Sequence, residues 1–553
     1  MASEVPTDQA RGGRLDSSVS TIPCSSNEDS QKVTLKMILL SILVSWAAWI
    51  ASFDTGFAGA VLIMPSFREA FGHCTTTFDV KSGENAEQCI LSTLQQSLIS
   101  IGILFSAVGS ILSGFCGSKF GRKNTILIAC AFNVVGAAGM LGTSGNFTAY
   151  IVCKCISGIG TGQLYTASVV YGSECVMASK RGLLLGLYNI GLAMGNVTVA
   201  AVCAGSATLG MSNDWQWKTP IVCQIPLAVS LVVGILMFPE SPRWLLTKGR
   251  DESARISFGL IQSRDPYSHE VSQQVHDVKK HLEFERSMDK TTSWSEIYRG
   301  TNLRRTAIST LILISLSLTG IQFIALYAPT FLNGVGIDDP YLINVIVALC
   351  IFGGAFIGPP ILDYGGRRFA MLYGYSLMAM CMLISSSVST ALGADNAIAQ
   401  NVVVAFLCIW AFVFGGFVGP STWIASAEMH SIRLRTYGQA NTTFFYQIFA
   451  FGATFWTPYM LNPEYGNMGP DVGYFYFGIT FFFVIMVFFF VPETSRLTLE
   501  QIDDYFMSGQ KAWQTSTKKN IALIKAGSSN EEKTSHRGNA RQIETTTSST
   551  LTV

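Results

Sequence analysis

Two ionisable residues stand deep inside long apolar runs of this chain, Asp54 in the first run and Lys154 in the fourth. An isolated charge in hydrocarbon costs several kcal/mol, so each is a functional candidate by position alone, with the other as its natural partner. Depth favours the pairing. At 1.5 Å per helical residue, Asp54 lies about ten residues, or about 15 Å, below the end of its run, and Lys154 about seven residues, or about 10 Å, below the start of its own. A carboxylate facing an ammonium stays charged, whereas one left alone in a low-dielectric cavity tends to take up a proton. Separating such a pair without that proton costs about 3 to 5 kcal/mol. Movement of one helix past the other would therefore be tied to protonation; the plainer alternative is a permanent structural ion pair.

A second set of charges repeats along the chain. Arg122 follows the second run and Arg367 the eighth; Glu174 precedes Arg181 by seven residues after the fourth, and Glu428 precedes Arg435 by seven after the tenth. Matching charges at matching ends indicate an internal duplication. Lys119, Lys123 and Arg433 are read as solvated anchors. No paired CxxC or HExxH spacing is present, and no nucleophile and base stand at useful spacing, so neither a metal, a cofactor nor an enzyme is expected.

The elements that must position these residues are membrane helices. Hydrophobic residues make up 49% of the chain and charged residues only 13%, with a mean hydropathy of +0.37; soluble domains carry about 25% charged residues. Twelve apolar stretches are each long enough to cross about 30 Å of hydrocarbon as helix. They fall at about 37–64, 92–116, 124–143, 147–172, 183–204 and 217–238, then 306–332, 341–361, 370–391, 401–427, 438–461 and 472–491. Lys119, Arg122, Lys123, Lys180, Arg181, Arg367, Arg368, Arg433 and Arg435 all fall on the face that carries the two tails, which makes that face, and both termini, cytoplasmic. Net charge near zero and no basic face interleaved with aromatics exclude a nucleic-acid partner.

The expected organisation is a disordered tail 1–35, a first bundle 36–238, a polar linker 239–304, a second bundle 305–492, and a mostly disordered tail 493–553. In the linker, Val271, Val275, Val278 and Leu282 recur at helical spacing, which predicts a helix against a membrane surface or against loop ends. Most of the thirteen cysteines sit in apolar runs as small core residues. Cys74 and Cys89 bracket a polar loop, and an extracellular position for it allows a disulfide. The sequon Asn146-Phe147-Thr148 lies on the outer face, where Asn146 could carry a glycan; Asn196 and Asn441 begin sequons within or beside apolar runs and are set aside.

Four strings then give the chain a resemblance to the sugar porter branch of the major facilitator superfamily, in its fungal type, from about Met37 to Phe506. They are Pro239-Glu240-Ser241-Pro242-Arg243-Trp244-Leu245, Asp363 to Arg368, Gly419-Pro420 with Trp423 and Glu428, and Pro492-Glu493-Thr494 continuing into Leu497 to Glu500. The resemblance implies an all-α membrane protein of two six-helix bundles with a cytoplasmic helical subdomain, alternating access to a central site, and proton symport where the first helix carries an acid. By position it implies a solute site containing Asn189, Gln322, Trp423 and Tyr446 or Gln447, with Tyr327 closing the outer side, and an inner charge network of Arg122, Glu174, Arg181, Arg367, Glu428 and Arg435 that acts as a gate latching the cytoplasmic face shut. The chain departs from the family at Ser118, where an acid is usual; at Lys154, where an arginine is usual; at Leu316 and Ser317, in place of paired glutamines; at Gln322, in place of an asparagine; and at Ser495-Arg496, in place of Lys-Gly. A sugar offers many hydroxyls and flat apolar patches, so amides and aromatic faces suit it. Loss of the glutamines argues against glucose bound in the usual way and leaves a disaccharide, polyol, sugar acid or less polar metabolite. The expected function is proton-coupled import of a sugar-like solute by a monomer in the plasma membrane. The alternatives are an exporter of a secondary metabolite on the same fold and a non-transporting sugar sensor.

Overall fold

The computed structural model describes residues 34–522 apart from 79–84, 177–180, 211–212, 290–293, 326, 328–338, 394–395, 432–433, 496 and 498. Six long helices precede the linker: α1 (Leu35–Val61), α2 (Thr93–Phe120, turning at Ile99 and Ser100), α3 (Arg122–Leu141), α4 (Phe147–Cys175), α5 (Arg181–Ala207) and α6 (Trp215–Leu236). Six follow it: α7 (Gly300–Leu318, resuming beyond Gly320 to Ala325), α8 (Pro340–Tyr364), α9 (Arg367–Leu392), α10 (Ala397–Glu428), α11 (Arg435–Leu461) and α12 (Val472–Phe490). Ten are long and apolar enough to cross a membrane. The other two, α4 and α11, are as long but more polar; they carry Lys154, Glu174 and the Tyr446–Gln447 pair.

The duplication is repeated in the packing. In the first half α4 lies against α2 and α3, α3 against α6, and α1 against α5; in the second, α10 lies against α8 and α9, α9 against α12, and α7 against α11. The halves meet where α5 packs on α8 and α2 on α11, contacts that the repeat itself interchanges. Close approach within the first half rests on α4's glycines. A Cβ on Gly158 or Gly162 would strike the backbone of Gly102 or Ser106 on α2, and one on Gly160 would lie 2.6 Å from Ala129 O on α3. Small residues four apart let helix backbones touch in a membrane, and here they set Lys154 one turn from the same contact.

In the linker, the helix His269–Asp289 turns Val271, Val275 and Leu282 onto Trp244, Leu245, Leu246, Ala254 and Phe258 of the helices Pro242–Thr247 and Asp251–Gln262. Its apolar stripe is thus satisfied by its own subdomain rather than by a lipid surface. The second tail, over its described residues up to 522, departs from the expected disorder. Ile502 and Phe506 are buried, Arg305 lies over the Phe506 ring, and Asn520 is buried with its amide donating to Glu493 O and Ser495 O. Residues 1–33 and 523–553 lie outside the described residues.

Candidate functional site

Asp54 and Lys154 meet. Lys154 Nζ lies 3.0 Å from Asp54 Oδ1 and 2.8 Å from Asp54 O, both side chains are buried, and the ammonium also sits 4.2 Å from the Phe57 ring centroid. Residues three and seven positions beyond Lys154 share its helix face. There Ser157 Oγ donates to Asp54 Oδ1 at 2.9 Å and Thr161 Oγ1 to Asp54 Oδ2 at 2.7 Å. Asn133 on α3 backs them, its Nδ2 3.4 Å from Thr161 Oγ1. The carboxylate is thus met by three side-chain donors, and a buried charge held this way is stable only while its partners stay. The sequence reading missed Ser157, Thr161 and Asn133, although the helical spacing from Lys154 points to the first two.

The repeated charges form two matching networks at the tail-side helix ends. In the first half Arg122 grips Glu174 with two bonds, Nη2–Oε1 at 2.8 Å and Nε–Oε2 at 3.0 Å, while Ser241 Oγ donates to Glu174. In the second, Arg367 Nη2 lies 3.2 Å from Glu428 Oε1, and Thr494 Oγ1 donates to Glu428 at 2.6 Å. Glu240 accepts from the backbone N–H groups of Arg122 and Lys123, and Glu493 from those of Arg367 and Arg368. Each caps the start of a helix with negative charge, where the orphan amides and the helix dipole favour it. The neighbouring base then reaches the far end of another helix: Lys123 Nζ donates to Leu236 O and Phe238 O, and Arg368 Nη2 to Phe488 O.

Room for each capping carboxylate comes from glycine. Gly121 (φ +104°) and Gly366 (φ +97°) hold a conformation that side chains rarely adopt, and a Cβ on either would strike Glu240 or Glu493. Burial lifts the Glu493 carboxyl above its ordinary value, against the pull of its backbone donors and Arg367. Glu240 and Glu493 were absent from the expected gate, yet the repeated Pro-Glu-Ser and Pro-Glu-Thr strings mark them. Both ion pairs join helices of one half, so each braces its own bundle. Arg181 and Arg435 open α5 and α11, and their side chains lie outside the described residues.

At the seam between the halves, Trp423 on α10 meets Tyr446 on α11 edge to face, with ring centroids 5.2 Å apart. Gln322, just past the break in α7, lies beside the Tyr446 hydroxyl. Tyr165 and Tyr188 face Tyr446 from the first half, Tyr188 Oη donating to Tyr165 O at 3.2 Å. The Tyr165 hydroxyl lies beside Thr55, the residue after Asp54. A chain of contacts therefore runs from beside the ion pair to the aromatic seam, through tyrosines that the sequence reading missed. Asn189 is half-buried beside Tyr188 and Gln447 is buried beside Tyr446, but among the described residues no hydrogen bond joins either to the seam. Leu316 and Ser317 are buried, and Ser317 Oγ donates to Ile314 O of its own helix.

On the side opposite the tails, Tyr327 Oη donates to Gln96 O at 3.3 Å and Asn462 Nδ2 to Thr93 Oγ1 at 2.6 Å, tying the second half to α2. On the same side Cys74 and Cys89 are joined in a disulfide across the hairpin of β1 (His73–Phe78) and β2 (Asn85–Ile90). Asn146 is exposed and caps α4, accepting from Ala149 N. An apolar groove of about 560 Å³ lies elsewhere, between α8, α9 and α10, lined by Tyr364, Phe369, Tyr373 and Phe417.

The family model described as Sugar (and other) transporter matches residues 40–506. The chain belongs to this transporter family. Among its relatives, the high-affinity glucose transporter ght2 of Schizosaccharomyces pombe is 29% identical over 86% of this chain and 88% of its own. The high-affinity gluconate transporter ght3 of the same organism is 28% identical over 86% of this chain and 84% of its own. Among solved structures, a partially occluded inward-open form of the xylose transporter XylE from E. coli aligns with a TM-score of 0.68 at 18% identity, over 84% of this chain and all of that one. The likeness is one of fold, and with the duplicated packing it makes this sugar transporter a multi-pass membrane protein of twelve helices in the major facilitator arrangement.

Proposed function

We propose that this member of the sugar transporter family imports a sugar or sugar-like solute together with protons, as a monomer in the plasma membrane with both ends cytoplasmic. The observation that supports the reading is the buried Asp54–Lys154 pair, set in the half of the membrane away from the tails, with Thr55 and Tyr165 between it and the seam of Trp423, Tyr446 and Gln322. Release of Lys154 would leave Asp54 with two hydroxyl donors in a low-dielectric site, where taking up a proton replaces the lost charge partner. The seam offers aromatic faces and an amide to a polyhydroxylated solute. Related proteins are named for glucose, hexose, fructose and gluconate, and XylE for proton and xylose. The hydrogen bonds of Tyr327 and Asn462 to α2 belong to a state shut on the outer side.

A panel of sugars, polyols and sugar acids presented to proteoliposomes, with internal pH recorded, tests the proposal. Accumulation of one class with simultaneous acidification of the lumen is expected. Uptake that stops at equal concentrations, with no pH change, would reduce the reading to facilitated diffusion. Net loss of solute from cells carrying the protein would turn it into an exporter, and no movement of any compound into a sensor.

A further inference from the structure

Between the ion pair and the outer face stands a cluster of five aromatic rings. The short helix Pro65–Phe71, which follows α1, contributes Phe67 and Phe71; α4 contributes Phe147 and Tyr150; α6 contributes Trp217. Phe71 touches all four others, with ring centroids 4.8 Å from Phe67, 5.4 Å from Tyr150 and Trp217, and 6.1 Å from Phe147. Phe67, Tyr150 and Trp217 are wholly buried. Rings at these separations are in contact and exclude a file of water. Tyr150 lies one helical turn outward from Lys154 and faces Asp54 electrostatically, so the cluster sits directly over the pair.

The cluster is held at its edges. Ser66 N and Oγ both donate to Gln216 Oε1, and Gln216 Nε2 reaches Ala207 O and Leu209 O. Gly72 lies tight against Ile90 O, so the hairpin closed by Cys74 and Cys89 buttresses the end of the short helix. Its centre is less settled: Tyr150 Oη and Trp217 Nε1 are buried without a hydrogen-bond partner among the described residues. A buried donor without a partner is costly, and water restores the bond. A seal with two such donors in it is closed and yet favours hydration once it parts.

We infer that Phe67, Phe71, Phe147, Tyr150 and Trp217 form an outer proton gate over Asp54, with the Tyr150 hydroxyl positioned to pass the proton inward when the rings separate. This rests on the proton-coupled reading above. The titratable groups facing Asp54 are Lys154, Tyr150 and Tyr165, all on α4. Around the gate's rim, Arg68 is turned to Leu62 O and Tyr341, Glu69 is exposed, and Lys218 pairs with Asp214.

The test uses the full chain in proteoliposomes holding a pH-sensitive dye, under an inward proton gradient and without solute. Phe71→Ala, which removes a ring in contact with all four others, is expected to raise the solute-free rate of acidification at least tenfold over the unaltered protein. Phe71→Ala combined with Asp54→Asn is expected to return it to the baseline, because the leak runs through the carboxylate. Tyr150→Phe keeps the rings and is expected to slow solute-driven acidification at least threefold and to shift its pH profile, with a thermal melt no lower than that of the unaltered protein. A tight Phe71→Ala protein, or a leak that survives Asp54→Asn, overturns the gate. Should Phe71→Ala fail to fold, a Tyr150→Phe protein with unaltered proton entry overturns the hydroxyl's role. If the unaltered protein shows no solute-driven acidification, the coupled reading itself fails, and that result is distinct from the others.

Discussion

Replacing Lys154 by Met keeps the length of the side chain and removes its charge, leaving Asp54 with Ser157 and Thr161 as its donors. Breaking a buried pair costs about 3 to 5 kcal/mol, and the two surviving hydroxyl bonds place Lys154→Met near the lower end, about 3. Asp54→Asn costs less, about 2 kcal/mol, because Lys154 keeps Asp54 O at 2.8 Å and the Phe57 ring, the latter worth about 0.5 to 2 kcal/mol. The double variant buries no charge and is expected to lose only about 2 kcal/mol, which gives a coupling of about 3 kcal/mol, the upper end for residues in contact. Thermal and denaturant unfolding in one detergent measures the cycle.

Transport supplies the second readout of the same pair. At 100 mV and one pH unit, one proton carries about 2.3 plus about 1.4 kcal/mol, enough to concentrate a neutral solute between a hundred- and a thousandfold. Asp54→Asn is expected to bring accumulation to a ratio of about one while solute exchange continues. Additive single losses would refute the pairing energetics, and an Asp54→Asn protein that still accumulates solute would refute the coupling.

Two further outcomes concern the tail-side networks. Gly366→Ala forces a side chain into φ +97° against Glu493 and Thr517, and a loss of about 1 to 3 kcal/mol is expected by thermal melting; a neutral result would show that the cap yields freely. For Glu493 itself, a folded carboxyl lifted above the ordinary value of 4.5 binds its proton more readily than the unfolded one. Its contribution is therefore full below the unfolded value and lost as pH rises through the folded one, so Glu493→Gln should flatten the fall in stability as pH rises above the ordinary value of 4.5, read as the pH dependence of the melt.

Much of this protein was legible before any coordinates. Charge content, run lengths and the repeated arginine and glutamate spacings dictate a duplicated membrane bundle, because a lipid interior admits little else. The same rule singled out Asp54 and Lys154, since a charge at that depth needs a partner. Harder to read were groups whose role depends on what lies across a helix interface. Ser157 and Thr161 are ordinary helix-face hydroxyls until Asp54 arrives from α1, and Glu240 and Glu493 are loop acids until Gly121 and Gly366 clear space at a helix start. The tail after Phe506 looked too polar to fold, yet Asn520 finds two backbone carbonyls that no local pattern announces.

The sequence by itself determined what must be hidden from lipid and how often the chain crosses, because both follow from hydropathy and length along one dimension. Only the tertiary structure decided which hydroxyl meets which carboxylate, that each ion pair stays within its own half, and that five rings from three helices stand over the buried acid. Those facts depend on the angle and depth at which separate helices meet, which glycine contacts and packing fix and which no spacing along a single helix encodes.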